Sequence, residues 1–328
     1  MQNQFITQLK SDQQVFDFLK KLWINNFSWL GFDYLAEEIF EKIKNSQTDT
    51  EFIQEIDNIL QNSDFKKISR KNFAQKKFKS FQFELIKPYL KNVNNLLDFG
   101  CGKMALLRRI AKEEELNDIK HLFGYDPNVN VNYADFDNRA RFINKVEDLF
   151  PQKNRPNSCS RGALAVAATS DERSKSLADS KFDLIISSYV FHHMTITEIE
   201  KNAEIIKKLL AEHGKLILIE ESFENDMPDQ ESINHLNQTG FETNNNLTED
   251  FLKLSLIQRK QAIYLNDVLI NYKNLSYIPW TLQYKTMIEW ESIFTKARLK
   301  LQNKYFFGFI QSGRLKQGIT SMQVFTHF

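Results

Sequence analysis

The chain has 328 residues, 42% hydrophobic and 13% aromatic, which is enough apolar material for one large core or two modest ones without disulfides or metals. Its 43 basic and 42 acidic side chains nearly cancel, so net charge gives no argument for nucleic acid or a membrane as partner. Cys101 and Cys159 stand apart from any CxxC or Cys/His grouping, which argues against a disulfide framework or a zinc site, and no metal is expected.

The opening MQNQFITQLKSDQQ has no basic stretch followed by an apolar run, and no signal peptide is expected. No apolar run approaches the roughly 18 residues of a membrane helix. The expectation is a soluble, cytoplasmic protein.

Residues 1–90 read as an N-terminal helical region. Phe16, Leu19, Leu22 and Trp23 recur at helical spacing, as do Leu35, Ile39 and Ile43. Between residues 72 and 91, Phe73, Phe78, Phe81 and Leu85 fall roughly on one face and many lysines on the other. A solvated helix face is the ordinary reading of those lysines, and a patch for an anionic substrate is the alternative.

From Asn94 the pattern becomes alternating. Residues 94–99 (NNLLDF) form a short buried strand, Gly100 to Gly102 a tight turn, and Ala105–Leu116 a helix. His121–Tyr125 is a second strand, Phe142 and Ile143 mark a weak third, and Phe182–Ser187 is a strong fourth. Ile199–Leu210 is helical, and Lys215–Glu220 is a fifth strand after a turn at Gly214. Strands alternating with helices in this way imply βαβ units and a parallel sheet.

Residues 225–283 interrupt the alternation with polar loops and helices, a helical cap inserted after the fifth strand. Trp290–Lys296 then reads as a helix, and Leu299–Phe307 and Met322–Phe328 as a strand pair closing the sheet in antiparallel fashion. The Ala-, Ser- and Arg-rich stretch at 155–180 departs from its Lys-, Asn-, Ile- and Phe-rich surroundings. Residues 153–180 therefore read as a surface insertion in a methodical α/β pattern that occupies 91–328. The fold class expected is α/β, a Rossmann-like parallel sheet with an antiparallel edge strand, N-terminal helices and a helical cap.

The chemistry centres on LLDFGCGKM (96–104), a strand entering a glycine turn and a helix. Glycines allow close backbone approach to a ligand. Gly100-x-Gly102-x-x-Ala105 formally fits a dinucleotide turn, a weak signal by itself. Asp98 separates the candidates, because its carboxylate would repel a pyrophosphate and attract the ammonium of a methionyl group. S-adenosylmethionine is therefore favoured over NAD. Asp126, at the tip of the second strand, is placed to accept hydrogen bonds from ribose hydroxyls of either cofactor.

With these residues in view, the chain resembles a class I S-adenosylmethionine-dependent methyltransferase of the broad type acting on small molecules. LLDFGCGKM resembles the family's first motif, GYDPN (124–128) its acidic second-strand motif and FDLIISSYVFHHM (182–194) its fourth-strand motif. KLLAEHGKLILIEE (208–221) resembles the fifth-strand region, and WESIF (290–294) with ARLKL (297–301) the C-terminal helix and strand.

The resemblance implies that Gly100 and Gly102 line the methionyl end, with Asp98 near its ammonium. It implies Asp126 on the ribose, Pro127 beside the adenine, Val146 and Glu147 at the adenine edge, and Ser187 and Tyr189 beside the transferable methyl. Two departures stand out: Met104 where the family often has a third glycine, and Lys145 where an acidic residue is common.

A hydroxyl acceptor would need a base, for which His193 is the first candidate and His192 the second. Both are also suited merely to starting a helix. Glu220 and Glu221 end the fifth strand at the sheet's ligand-binding edge. Cys101 reads as a packing residue, and Tyr264, Tyr272, Tyr277, Trp280 and Tyr284 as core of the cap. The fourth strand carries neither an Asn/Asp-Pro-Pro-Tyr signature nor a Pro-Cys pair, which favours a small-molecule acceptor. RNA methylation through the basic segments 66–91 and 296–316, or a non-catalytic regulatory protein that binds S-adenosylmethionine, are the alternatives.

Overall fold

The computed structural model describes residues 4–28, 31–64, 77–129, 139–150, 181–271, 283–311 and 318–328. Four helices open the chain: α1 (Gln4–Ser11), α2 (Gln13–Ser28), α3 (Asp33–Asn45) and α4 (Asp49–Asn62). Phe16, Leu19, Leu22, Trp23, Leu35, Ile39 and Ile43, the stripe read from the sequence, are all buried. The Thr48 side chain caps α4 by accepting from Glu51 N, which satisfies one of the orphan amides of the first turn. Helix α5 (Lys77–Ile86) turns Phe81, Phe83 and Leu85 inward. Phe73, the Phe78 side chain and the side chains of the lysines from Lys66 to Lys79 lie outside the described residues.

The sheet region follows as β1 (Asn95–Phe99), α6 (Ala105–Ala111), β2 (His121–Tyr125), β3 (Ala140–Ile143), β4 (Phe182–Ser188), α7 (Ile196–Leu209) and β5 (Leu210–Glu220). Then come α8 (Gln230–Gln238), β6 (Glu242–Thr243), α9 (Asn245–Lys253), α10 (Leu256–Ile270), α11 (Met287–Lys296), β7 (Leu299–Gln311) and β8 (Ile319–His327). The strand order is β3-β2-β1-β4-β5-β8-β7-β6. The first five strands are parallel, and β8, β7 and β6 extend the sheet in antiparallel fashion.

Several elements begin or end a few residues from the expected bounds, and two of these differences change the local structure. The helix expected to reach Leu116 stops at Ala111, because Glu113 turns extended and a separate 3-10 turn takes Glu114–Leu116. Strand β5 starts at Leu210 rather than Lys215. Its ladder with β4 jumps from Phe182↔Leu210 to Leu184↔Lys215, so the turn foreseen at Gly214 is a bulge within the strand.

Parallel strands are buried on both faces, hence their nearly continuous apolar runs. Leu96, Leu122, Leu184, Ile186, Ile217 and Ile219 pack on one face with α5 and α6. Leu97, Phe99, Phe123, Ile185, Leu216 and Leu218 pack on the other with α7 and α11. A third apolar cluster joins α1–α4 to α9, α10 and residues Phe306, Phe309 and Ile319 of the antiparallel strands. The N-terminal helices and the cap are thus one packed body. Capping boxes at Thr195/Glu198, Ser255/Gln258 and Thr286/Glu289 fix where α7, α10 and α11 begin.

Among the described residues no helix is long and apolar enough to cross a membrane. The insertion at 153–180, Cys159, and Tyr272, Tyr277 and Trp280 lie outside the described residues.

Candidate active site

The chain runs outward from β1 through β2 to β3, then returns to β4 on the other side of β1. Helices α6 and α7 therefore leave β1 and β4 on opposite faces and open a crevice at the strands' carboxyl ends, where open α/β sheets bind ligands. Register sets Phe99 beside both Tyr125 and Ser187. The residues just past these strands share one edge although they are far apart in sequence.

The glycine turn is tied to the second strand. Gly100 N and Cys101 N donate to the Tyr125 carbonyl at 2.7 and 3.0 Å. Gly102 N donates to Asp126 Oδ2 at 3.0 Å, and Asn128 N to Asp126 Oδ1 at 2.9 Å. Gly100 (φ +82°) and Gly102 (φ +50°) are both left-handed, a conformation that favours glycine. The space beside them differs. A Cβ on Gly100 would sit 2.3 Å from Val190 Cγ2, whereas nothing lies within 4 Å of one on Gly102. Gly100 makes room for the loop after β4, and Gly102 is the glycine with open space beside it; the sequence reading had given both one role.

Met104 is itself left-handed, at φ 54°, which costs roughly 1–2 kcal/mol for a residue with a Cβ. Its fully buried side chain packs beside Gly124, where an added Cβ would lie 2.9 Å from Met104 Cγ. Cys101 is buried there too, and burial, then Asp98 and Asp126, push its thiol up. A thiol so protonated is a packing group and a poor nucleophile.

Asp98 is 4% exposed. Burial first, and the Asp126 carboxylate second, raise its carboxyl to about 7. No side-chain or backbone donor among the described residues bonds it. Ser187 Oγ, in the adjacent strand, is buried and likewise without a hydrogen-bond partner. Asp126 is half-buried and Pro127 exposed beyond it. Val146 and Glu147 lie in the turn Val146–Leu149 after β3. Val146 packs against the cluster that contains Phe99 and Tyr125, while Glu147 and Lys145 are exposed.

Tyr189, also left-handed at φ 57°, bridges to Thr320 through hydroxyls 3.0 Å apart. Glu220, fully buried, organises the next residues: its Oε1 accepts from Val190 N at 3.0 Å and Phe191 N at 2.8 Å, and its Oε2 meets His192 Nδ1 at 2.5 Å. Burial disfavours charge on the His192 imidazole, yet Glu220 at this distance, aided by Glu221 and Asp267, outweighs it and lifts the group to about 9. His192 is thus a proton-holding, buried residue stacked on Tyr284, and unsuited to accept a further proton at neutral pH. Glu221 lies beside Gly318, at the start of β8.

His193 is the more open of the pair, with its Nδ1 4.0 Å from Asp267 Oδ2. Asp267, on α10, is held by Tyr284 Oη at 2.7 Å and Asn271 Nδ2 at 2.6 Å. Asp267 and Thr320 belong to no local motif, and only tertiary folding brings them here; Val190 lies within the fourth-strand motif, but its packing against Gly100 is likewise set only by tertiary folding. Tyr284, read as cap core, is buried and doubles as the hydrogen-bond donor to Asp267.

No curated protein matches the chain in sequence. Solved structures resemble it distantly. A Haloferax volcanii methyltransferase in complex with the Trm112 activator is 13% identical, with 74% of this chain and 89% of that one covered and a TM-score of 0.40. Human N-acetylserotonin methyltransferase in complex with SAM is 14% identical (89% and 59% covered, TM-score 0.40). CalO1, a methyltransferase of calicheamicin biosynthesis in its SAH-bound form, is 12% identical (83% and 61% covered, TM-score 0.41). The chain spans about three fifths of the length of the last two. In sequence, the family described as a methyltransferase domain matches residues 69–253, more than half of the chain. With that match over more than half of its length, the chain belongs to the methyltransferase-domain family.

Proposed function

We propose that the chain methylates a small molecule, with Asp98, Gly100, Gly102, Asp126, Pro127, Val146, Glu147, Ser187 and Tyr189 forming the cofactor side and His193 the acceptor side. The observation that carries this reading is Asp98. A buried carboxylate without a donor is costly, and an ammonium is the ligand group that relieves it. The open space at Gly102 and the unpartnered Ser187 Oγ further support the fit of S-adenosylmethionine to these residues. When bound, that cofactor supplies a methyl carbon activated by its sulfonium, the electrophile of an in-line displacement.

The protein's own contribution is to bind, align and exclude water. Asp98 would pair with the ammonium. Asp126, whose oxygens each take one backbone amide, retains lone pairs for ribose hydroxyls. On the acceptor side, helix α10 comes over the loop after β4 through Asp267 and His193. This roof favours a small acceptor over a polymer. A hydroxyl meeting His193 would give its proton to the imidazole, with Asp267 orienting the ring, while the His192–Glu220 pair fixes the loop. The buried Cys101 thiol suits a reducing compartment such as the cytoplasm.

The test is calorimetric titration of S-adenosylmethionine and S-adenosylhomocysteine into wild type, Asp98→Ala and Asp126→Ala, followed by methyl transfer to a panel of small hydroxyl and amine acceptors. Micromolar binding lost in both variants supports the site. Binding that survives both sinks the assignment of the cofactor residues, and turnover only with RNA sinks the acceptor class.

A further inference from the structure

The acceptor side contains a grouping that the methyl-transfer chemistry does not require. His192 and His193 follow β4, and Asp267 sits on α10, some 75 residues later in the chain. One ligand-capable atom of each lies within 4.8 Å of the others. Two imidazoles and a carboxylate form a donor set suited to divalent transition metals of borderline softness.

What surrounds these three matters more than their proximity. Metal-binding histidines characteristically give their second ring nitrogen to a carboxylate, and metal-binding carboxylates are themselves hydrogen-bonded. His192 Nδ1 meets Glu220 Oε2 at 2.5 Å, the carboxylate contact that characteristically orients a metal-binding imidazole. Asp267 is steadied by Tyr284 Oη at 2.7 Å and Asn271 Nδ2 at 2.6 Å. His193 and Asp267 stand 4.0 Å apart, beyond a direct hydrogen bond and nearer the separation of two ligands on one ion. Ligand bonds of about 2.0–2.2 Å place neighbouring donors roughly 3–3.6 Å apart in a tetrahedral site, so donors that now lie within 4.8 Å of one another must draw in by as much as about 1–2 Å on binding. Glu220, His192 and Asp267 are all buried.

We propose that His192, His193 and Asp267 bind a divalent transition-metal ion, with Glu220, Tyr284 and Asn271 orienting the ligands. Binding replaces a ring proton of His192 by the ion, and that proton leaves to solvent. Three protein ligands leave a coordination position open for an oxygen of the acceptor. The proposal rests on the reading that the acceptor meets this cluster and deepens it: a bound ion would lower the pKa of the acceptor hydroxyl, whose proton would then leave to solvent, with His193 holding the ion in place of acting as the base.

The test uses the whole chain, stripped with a chelator and titrated with Zn2+ by calorimetry and with Co2+ by visible absorption. One equivalent of each should bind. His193→Ala and Asp267→Asn should each weaken binding at least about tenfold, and Glu220→Gln roughly 10–100-fold. His213→Ala, at an exposed histidine on β5, should leave binding unchanged. Thermal melts and S-adenosylhomocysteine binding report folding of each variant. Wild type that binds S-adenosylhomocysteine but takes up neither ion overturns the metal site and leaves the methyl-transfer reading standing. Equal uptake by a folded His193→Ala/Asp267→Asn double variant also overturns it. Stoichiometric uptake that is lost in the variants, in a protein that binds no S-adenosylmethionine, supports the metal site and counts against the cofactor reading.

Discussion

Cofactor binding should be coupled to the protonation of Asp98. Burial, with Asp126 adding to it, raises this carboxyl from the usual 3.8 to about 7. The folded protein therefore holds a proton that the unfolded chain has already lost over this range. Stability from this group is fully present below about pH 4 and is lost as pH rises through about 7. At 1.36 kcal/mol for each pH unit, the loss is about 4 kcal/mol. A ligand ammonium needs the ionised form, so affinity should fall about tenfold between pH 8 and pH 6, with about one proton released on binding at pH 6 and almost none at pH 8. Calorimetry in two buffers of different ionisation heat counts those protons directly. Asp98→Asn removes the buried charge while keeping the shape. It should melt several degrees above wild type at pH 8, converge with it near pH 4, and bind S-adenosylmethionine at least about a hundredfold more weakly. A flat affinity between pH 6 and 8, together with an Asp98→Asn variant less stable than wild type, would refute the reasoning and make Asp98 a structural residue.

The two glycines of the turn should separate. Gly100→Ala places a Cβ 2.3 Å from Val190 Cγ2 and should lower the melting temperature, with partial recovery in Gly100→Ala/Val190→Ala; Gly102→Ala meets no atom, should cost about 1–2 kcal/mol for its left-handed backbone, and should lose cofactor affinity instead. Met104→Gly relieves roughly 1–2 kcal/mol of backbone strain but empties a fully buried site, a loss of about 2–5 kcal/mol, so chemical denaturation should find it less stable despite the family's preference for glycine. Phe251→Ala, in the cluster shared by α1–α4 and the cap, should cost about 3–5 kcal/mol within a single unfolding transition; separate melting of the N-terminal helices would show that they fold independently.

Much of the architecture was legible because it is written in local periodicity. The runs Leu96–Phe99, His121–Tyr125 and Phe182–Ser187 are mostly apolar with no strict alternation, the mark of strands buried on two faces, and each lies within a strand. Boundaries failed where tertiary contact overrode pattern, as at Glu113 and in the bulge that lengthens β5. Among the residues proposed for the cofactor side, Asp98, Gly100, Gly102 and Asp126 could be singled out because strand-turn-helix geometry ties them to short motifs. Sequence alone could not say that Gly100 yields its space to Val190, since that contact joins segments ninety residues apart.

The acceptor side shows the same division more sharply. The pair His192 and His193 was visible in sequence, but nothing local distinguishes the two. Folding sets Glu220 2.5 Å from one ring and Asp267 4.0 Å from the other. Coulomb interactions fall with distance and grow with burial, so the three-dimensional placement of Glu220 decides that His192 keeps its proton. The sequence by itself determined the α/β sheet, the glycine turn and the two acidic strand ends, because hydrophobic periodicity and turn chemistry act over a few residues. Only the tertiary structure decided the roles of His192, His193, Glu220 and Asp267, because burial and long-range charge exist only once the chain is folded.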